Sequence, residues 1–505
     1  MKHWTVLKTS AATALCMTGS AGFADVTAQD VWAAWTEQMT QYGYSIKADE
    51  NMSGGLLSLT NIAMHIDLPE DGGVLDITVP EMGFRENGDG TVQMVMPSSM
   101  PVKMHVAPKE GEVVDLTITY ATQGLAAVIS GNPGAMTHNY TAASAALALS
   151  DLVVDGKPVE VGQISMTMSN VQGSSSTEKG AVISAKQRFA ADTLDYTVDM
   201  MDPKGSGERV FLKGGLKGLE GGGYSNMPEG ADMQDMAAAM KAGFGFDGSF
   251  SHKGGSNEFS FNGKSDQMQG KSSSGGGMIR VAMDAGRLIY DVMASGVSLE
   301  TMSSELPLPI SLQMAQAGFK LAMPLMASDA AQDYQVSVTL GDFTMADMLW
   351  GIFDPTGQLP RDPATIALDI SGQAKLSHDL LDETQMKDLG EGAPGQIDSA
   401  NINALTVRVA GAELTGAGGF TFDNTDTASF DGIPRPQGQM NLKLVGGNGL
   451  LDKLVAMGFV PEDQAMGARM MMGLFAVPGD GPDTLNSKIE VNAEGHVLAN
   501  GQRLK

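Results

Sequence analysis

The feature that most limits what this chain can become is an apolar–polar alternation of period two that recurs along most of its length. Residues 57–67, 74–79, 91–96, 102–106 and 113–120 all carry it, as in Val102, Met104 and Val106 against Lys103 and His105. Successive side chains of a strand point to opposite faces, so each run is a strand with one apolar face. Turn residues separate the runs: Glu70-Asp71-Gly72-Gly73, Asn87-Gly88-Asp89-Gly90 and Pro108-Lys109-Glu110-Gly111. Loops this short join antiparallel neighbours, which predicts a β-meander.

The alternation continues at 145–154, 159–168, 181–189, 195–200 and 209–216, with a turn at Asp155-Gly156-Lys157-Pro158 and a longer loop expected at Gly173-Ser174-Ser175-Ser176. It resumes at 244–250, 257–262, 278–283, 287–293, 310–325, 335–340, 365–376, 402–410 and 412–422. The Ser/Gly run 272–277 reads as a linker or hairpin loop, and 388–396 as a mobile polar segment. The fold class is therefore mainly β, a β-rich α+β protein of extended antiparallel meander sheets with a few short covering helices. A helix expected over 227–243, with Met233, Met236, Ala237 and Met240 on one face, divides the chain into a half at 25–243 and a half at 244–505.

Other helices show period 3.6. Residues 25–44 place Val31, Trp32, Trp35, Met39 and Tyr42 on one face, with Gln29-Asp30 as cap and Gly43 as stop. Residues 345–353 carry Met348, Leu349, Trp350, Ile352 and Phe353. A C-terminal helical hairpin is expected at 448–476, between strands at 440–444 and 485–497. Its first helix has Asn448 as cap and Leu450, Leu451, Leu454, Val455 and Met457 as apolar face. Its second starts at Pro461 with Glu462 and Asp463 beside it, and turns Met466, Met470, Met471, Leu474 and Phe475 to one side. The hairpin is expected to cover one face of the sheet, its methionines filling gaps in a core.

Residues 1–24 read as an export signal: Lys2, His3 and Lys8, a short apolar run at 9–17, and small residues before a cleavage point after Ala24. The only cysteine, Cys16, lies inside it, so the mature chain is expected to lack disulfides, thiolate nucleophiles and Cys-bound metal. No other long apolar run exists, which implies a periplasmic or envelope-associated protein that is not integral to a membrane. The net charge of −27 argues against a nucleic-acid partner and against unaided docking on an anionic membrane.

Most catalytic patterns fail. Gly263-Lys264-Ser265 and Gly270-Lys271-Ser272 end like a P-loop, but Glu258 and Ser265 stand where its first glycine belongs. Ser176-Thr177-Glu178-Lys179 matches Ser-x-x-Lys within a polar run. His65, His105, His138, His252, His378 and His496 have no metal-pair spacing. Of the 36 methionines, only Met64-His65 with Met104-His105 could form a soft-metal set. The acidic runs 86–90 and 423–426 read as turns. No catalytic, metal or cofactor residue is assigned.

The run Leu349-Trp350-Gly351-Ile352-Phe353-Asp354-Pro355-Thr356-Gly357-Gln358-Leu359-Pro360-Arg361-Asp362-Pro363-Ala364-Thr365 resembles a signature block of domain of unknown function 2125, a family of exported alphaproteobacterial proteins. The C-terminal order of Gly-rich strand, Leu450-Leu451 helix, Gly458-Phe459-Val460-Pro461, second helix and final strand with Asn500-Gly501 is similar to it as well. The resemblance implies an envelope location and a β-rich fold, and it carries no catalytic residues. A looser architectural similarity is to AsmA-type envelope proteins, whose long curved sheets are linked to lipid handling.

The function expected is a non-catalytic scaffold or binding protein that holds an apolar ligand or lipid in a Met- and Leu-lined groove of the sheet. Alternatives are a structural protein pairing with an envelope partner at open sheet edges, and an unrecognised hydrolase. Candidate ligand or interaction residues are Trp350, Phe353, Arg361, Leu450, Leu454, Met470 and Phe475. For the block at 349–363 the spacing favours a helix-turn plug with its aromatics buried. Its other reading is a docking surface with Trp350 and Phe353 exposed beside Arg361.

Overall fold

The computed structural model describes residues 25–505 apart from 42, 69–71, 203–205, 232–234, 306–307 and 391. The expected signal with Cys16 and Ala24, and also Tyr42, Glu70, Asp71 and Met233, lie outside the described residues.

In chain order, α1 (Ala28–Gln41) precedes β1 (Ser45–Ser53), β2 (Leu56–Leu68), β3 (Gly73–Glu86), β4 (Val92–Val95), β5 (Ser99–Ala107), β6 (Val114–Gln123), β7 (Ala126–Asn132) and β8 (Ala135–Val154). Next come β9 (Lys157–Pro158), β10 (Ile164–Glu178), β11 (Val182–Met201), β12 (Arg209–Pro228), α2 (Met236–Lys241), β13 (Gly245–His252), β14 (Gly255–Asn262), β15 (Gln267–Ser274), β16 (Gly276–Met283) and β17 (Leu288–Ser303). There follow β18 (Ile310–Met323), β19 (Gln332–Met345), α3 (Asp347–Phe353), β20 (Ala364–Leu376), α4 (Glu383–Leu389), β21 (Gly395–Val409), β22 (Ala412–Asp423) and β23 (Arg435–Val445). The chain ends with α5 (Gly447–Ala456), α6 (Glu462–Phe475), β24 (Val477–Pro478), β25 (Thr484–Val491), β26 (Val497–Ala499) and β27 (Gln502–Arg503). Strand makes up 61% and helix 12%, which places the protein in the mainly β class.

All of these strands belong to one antiparallel sheet. Hydrogen bonding runs without a break past residue 243, because β12 pairs with β13 at one end and β14 at the other. Among the described residues β1 pairs only with β2, and β27 only with β26, so the sheet is open at both edges rather than closed into a barrel. The accessible surface is 29213 Å². A compact protein of 52.8 kDa would expose roughly 17,700 Å². Most of the sheet therefore has no second layer packed on it.

Several strands are far longer than the alternation indicated. β8, β11 and β12 each have 20 residues. The expected loop at Gly173–Ser176 is strand within β10, paired with β8 and β11. The expected linker at 272–277 is likewise strand, apart from Gly275, in β15 and β16. A phase slip explains why β11 reads as two segments. Its inward residues are Phe189 and Ala191, then Leu194 and Tyr196, with a step of three between them. The same step separates Met168 from Val171, Ala142 from Ala145 and Leu216 from Leu219. Left-handed backbone accompanies it at Asn61 in β2, Asn170 in β10, Gly218 in β12, Gly296 in β17 and Asp342 in β19, with φ of 51, 47, 59, 56 and 54°. Asn, Asp and Gly are the residues that tolerate this conformation. The positions align into a transverse line of matched kinks, at which β8, β10, β11 and β12 step together without a register shift, and the line creases the sheet while keeping its apolar side chains on one face.

At the floor of the crease Ala142, Val171, Ala191 and Leu219 are buried, with Tyr140 and Phe189 packed on them from one wall and Ala145, Met168, Leu194 and Leu216 from the other. The apolar face is thus the inside of a trough. α1 covers its N-terminal end, where Val31 and Trp32 are buried with Leu57, Leu59, Ile62, Phe84, Val92, Ile129 and Met136. The α1 cap is Thr27, whose Oγ1 accepts the Asp30 amide at 3.1 Å while Asp30 Oδ2 accepts the Thr27 amide at 3.0 Å, so of the expected Gln29-Asp30 pair Asp30 takes part as the reciprocal partner. The helix expected at 227–243 shortens to α2, with Pro228 inside β12. α2 packs Ala237, Ala239 and Met240 on Phe244, Leu325 and Met326 at one rim. α3 and the α5–α6 hairpin leave from the opposite rim, after Met345 and Val445.

Candidate functional site

The strand register fixes which side chains share the trough face. Across β13, β16, β17, β18, β19, β20 and β21, Phe250, Ile279, Val292, Phe319, Val338, Leu368 and Leu405 are successive partners. A parallel row is Gly248, Val281, Tyr290, Leu321, Val336, Ile370 and Ile402. One residue along, on the other face, stand Ser249, Arg280, Asp291, Lys320, Ser337 and Asp369. From β4 to β26, in strands of three or more residues, no Asp, Glu, Lys or Arg occupies a trough-facing register position. Glu50 and Glu86 break the rule at the N-terminal end, and α1 engages both: Trp32 Nε1 donates to Glu50 Oε1 at 2.7 Å and the Ala28 amide to Glu86 Oε1 at 3.2 Å.

The apolar face is solvent-accessible beyond α1. Ile279, Tyr290, Phe319, Leu340 and Ile366 are 36, 38, 40, 40 and 52% exposed. Isolated apolar residues on a surface are ordinary, whereas a contiguous strip of this extent is not. A concavity of about 650 Å³ lies on this face against Tyr140, Phe189, Phe246, Phe250, Ile279 and Val281. The outer face carries the charges. Arg280 forms a two-point pair with Asp247 (2.9 and 2.6 Å), which holds the Asp247 carboxyl below its usual range.

His65 Nδ1 lies 2.7 Å from Asp76 Oδ1 and His105 Nδ1 2.6 Å from Asp115 Oδ1. Both pairs belong to the outer face, whereas Met64 and Met104 flank Ile77 on the trough face. The Met–His set considered from sequence is therefore split between two faces. No group of three or more His, Asp, Glu or Cys among the described residues could hold a metal ion. His138 lies under α1, and burial pushes its imidazole down despite a bond with Ser175.

In the 349–363 block the turn is built as the sequence indicates. Asp354 is buried and accepts the amides of Gln358 at 2.9 Å and Leu359 at 2.8 Å. Burial works to raise its carboxyl, but these amides and Arg361 outweigh it and hold it below the usual range. The aromatics are not a buried plug. Trp350 is half-buried with its ring 5.3 Å from that of Phe353, and Phe353, Met348 and Ile352 are exposed, as none of the described residues forms a second layer over α3. Arg361 pairs with Asp347 at the start of α3.

The α5–α6 hairpin does not lay its methionines on the sheet. α6 buries only Ala465, while Met466, Met470, Met471 and Leu474 are exposed, Met470 by 72%. Leu450 and Leu454 of α5 are half-buried, as is Phe475, whose carbonyl accepts from Ser487 Oγ and Asn500 Nδ2. The α5 cap also differs from expectation. Gly446 is its first flanking residue, and Asp483 reaches in from beyond α6 to accept the amides of Asn448 and Gly449 at 3.2 and 2.8 Å. Sequence reasoning missed Asp483 because it lies about 35 residues from the helix it caps.

One open, one-sidedly apolar antiparallel sheet defines a β-rich trough protein. A family model for an uncharacterised protein conserved in bacteria, domain of unknown function 2125, matches residues 243–501. The chain belongs to that family. No curated protein and no solved structure matches it. No helix among the described residues is long and apolar enough to cross a membrane.

Proposed function

We propose that the protein is an exported, non-catalytic binding protein of the bacterial envelope that carries an apolar ligand in the trough. The observation that carries this reading is the charge-free trough face, left without a second layer from β13 to β21. Covering about 1,000 Å² of such surface would contribute roughly 25 kcal/mol before the costs of association, at about 25 cal/mol per Å². Edge pairing with a partner has less support, since the free edge at β1 is blunted by Lys47, Asp49 and Glu50. The test is organic extraction of the mature chain purified from its native envelope, with mass spectrometry against a mock preparation. A stoichiometric apolar compound is expected. A preparation free of one, together with a chain that takes up no apolar probe, refutes the reading.

A further inference from the structure

We infer that the ligand is a lipid whose linear acyl chain lies across the strands, between the Phe250–Leu405 row and the Gly248–Ile402 row. This rests on the apolar-ligand reading and adds its chemical class. The first argument is shape. The two rows are neighbours two residues apart along six of the strands and three apart on β21, so their side chains stand about 7 Å apart centre to centre and leave a shallow channel between them. Each row crosses seven strands, and six spacings of about 4.8 Å make it roughly 29 Å long. Two acyl chains end to end span the roughly 30 Å hydrocarbon core of a bilayer, so the rows are long enough for a full chain laid flat. A compact polycyclic ligand would leave most of the strip in water.

The second argument is chemistry. The side chains of both rows are aliphatic or aromatic, apart from the Tyr290 hydroxyl and the gap at Gly248. At Gly248 an added Cβ would meet nothing within 4 Å, so the channel is open there. With no charge or amide facing it, the strip offers a headgroup nothing and a methylene chain continuous contact at about 0.8 kcal/mol per buried CH₂. The polar end of the lipid must then project from the strip toward a rim.

The test uses the full mature chain and palmitic acid carrying a terminal diazirine, photolysed and mapped by peptide mass spectrometry, with competition by unlabelled palmitate or by pyrene. Labels are expected on trough-facing residues of at least three neighbouring strands between Phe250 and Leu405, displaced by palmitate and not by pyrene. Val338→Asp is expected to cut labelling at least tenfold and Ser337→Asp, on the outer face of the same strand, less than twofold. If Val338→Asp fails to fold, the wild-type map alone decides. Labels confined to the exposed methionines of α6 or to the outer face overturn the inference. Uptake of pyrene without palmitate overturns it too, but leaves the apolar-ligand reading standing. Uptake of neither probe sinks both.

Discussion

Truncating one leucine at two places on the same face tests whether the trough is open in solution. Leu59 is 0% exposed and packs beneath α1, whereas Leu340 faces the trough and is 40% exposed. Leu59→Ala leaves a cavity in an enclosed site, and such changes cost about 3 kcal/mol or more. Leu340→Ala removes a side chain whose full burial would be worth about 1.5–3 kcal/mol but which is only three-fifths buried, and solvent fills the space left. Its expected cost is about 1 kcal/mol. The difference of about 2 kcal/mol corresponds to roughly 30-fold in the local opening equilibrium. A long sheet whose strands contact mainly their neighbours opens in parts, so a single melting curve is the wrong measure. Hydrogen exchange followed by mass spectrometry reads each place separately: β2–β3 peptides in Leu59→Ala and β19–β20 peptides in Leu340→Ala. Equal losses would refute the reasoning, since they would mean that something covers the trough at Leu340.

Three further outcomes follow from particular contacts. Asn170 holds φ at 47° and donates to Asp192 Oδ2 at 2.6 Å, so Asn170→Val should destabilise β10 by about 1–3 kcal/mol more than Asn170→Gly, read by exchange in β10, and equal effects would remove the crease argument. Burial acts to raise the Asp379 carboxyl, but Lys241 (2.6 Å) and the Ala327 amide (2.8 Å) overcome this and depress it. Its contribution is therefore present above the ordinary carboxylate range and is lost as pH falls through and below that range, so the protection of the 236–244 amides, corrected for intrinsic exchange at each pH, should fall in acid, and less so in Asp379→Asn. Met470 is exposed by 72%, so Met470→Glu should shift the local opening free energy, read by hydrogen exchange in α6 peptides, by no more than about 0.5 kcal/mol, and a loss above about 1.5 kcal/mol would show that α6 is covered.

Much of the architecture is legible in local pattern. Period two at Val102, Met104 and Val106 fixes strand identity, and the spacing of the α5 and α6 residues fixes two helices, because backbone geometry alone converts these periods into faces. Spacing cannot say what lies opposite a face. The methionines of α6 have a core-like pattern and stand in solvent, since only the tertiary arrangement decides whether a second layer covers them. The crease likewise looks like a strand end in sequence: the step from Ala191 to Leu194 breaks the alternation, and only pairing with β12 shows that the strand continues. The cap supplied by Asp483 and the uncharged trough face are decided at the same level. Each depends on residues far apart in the chain brought together by register, and the sequence by itself determined only which residues were available to meet.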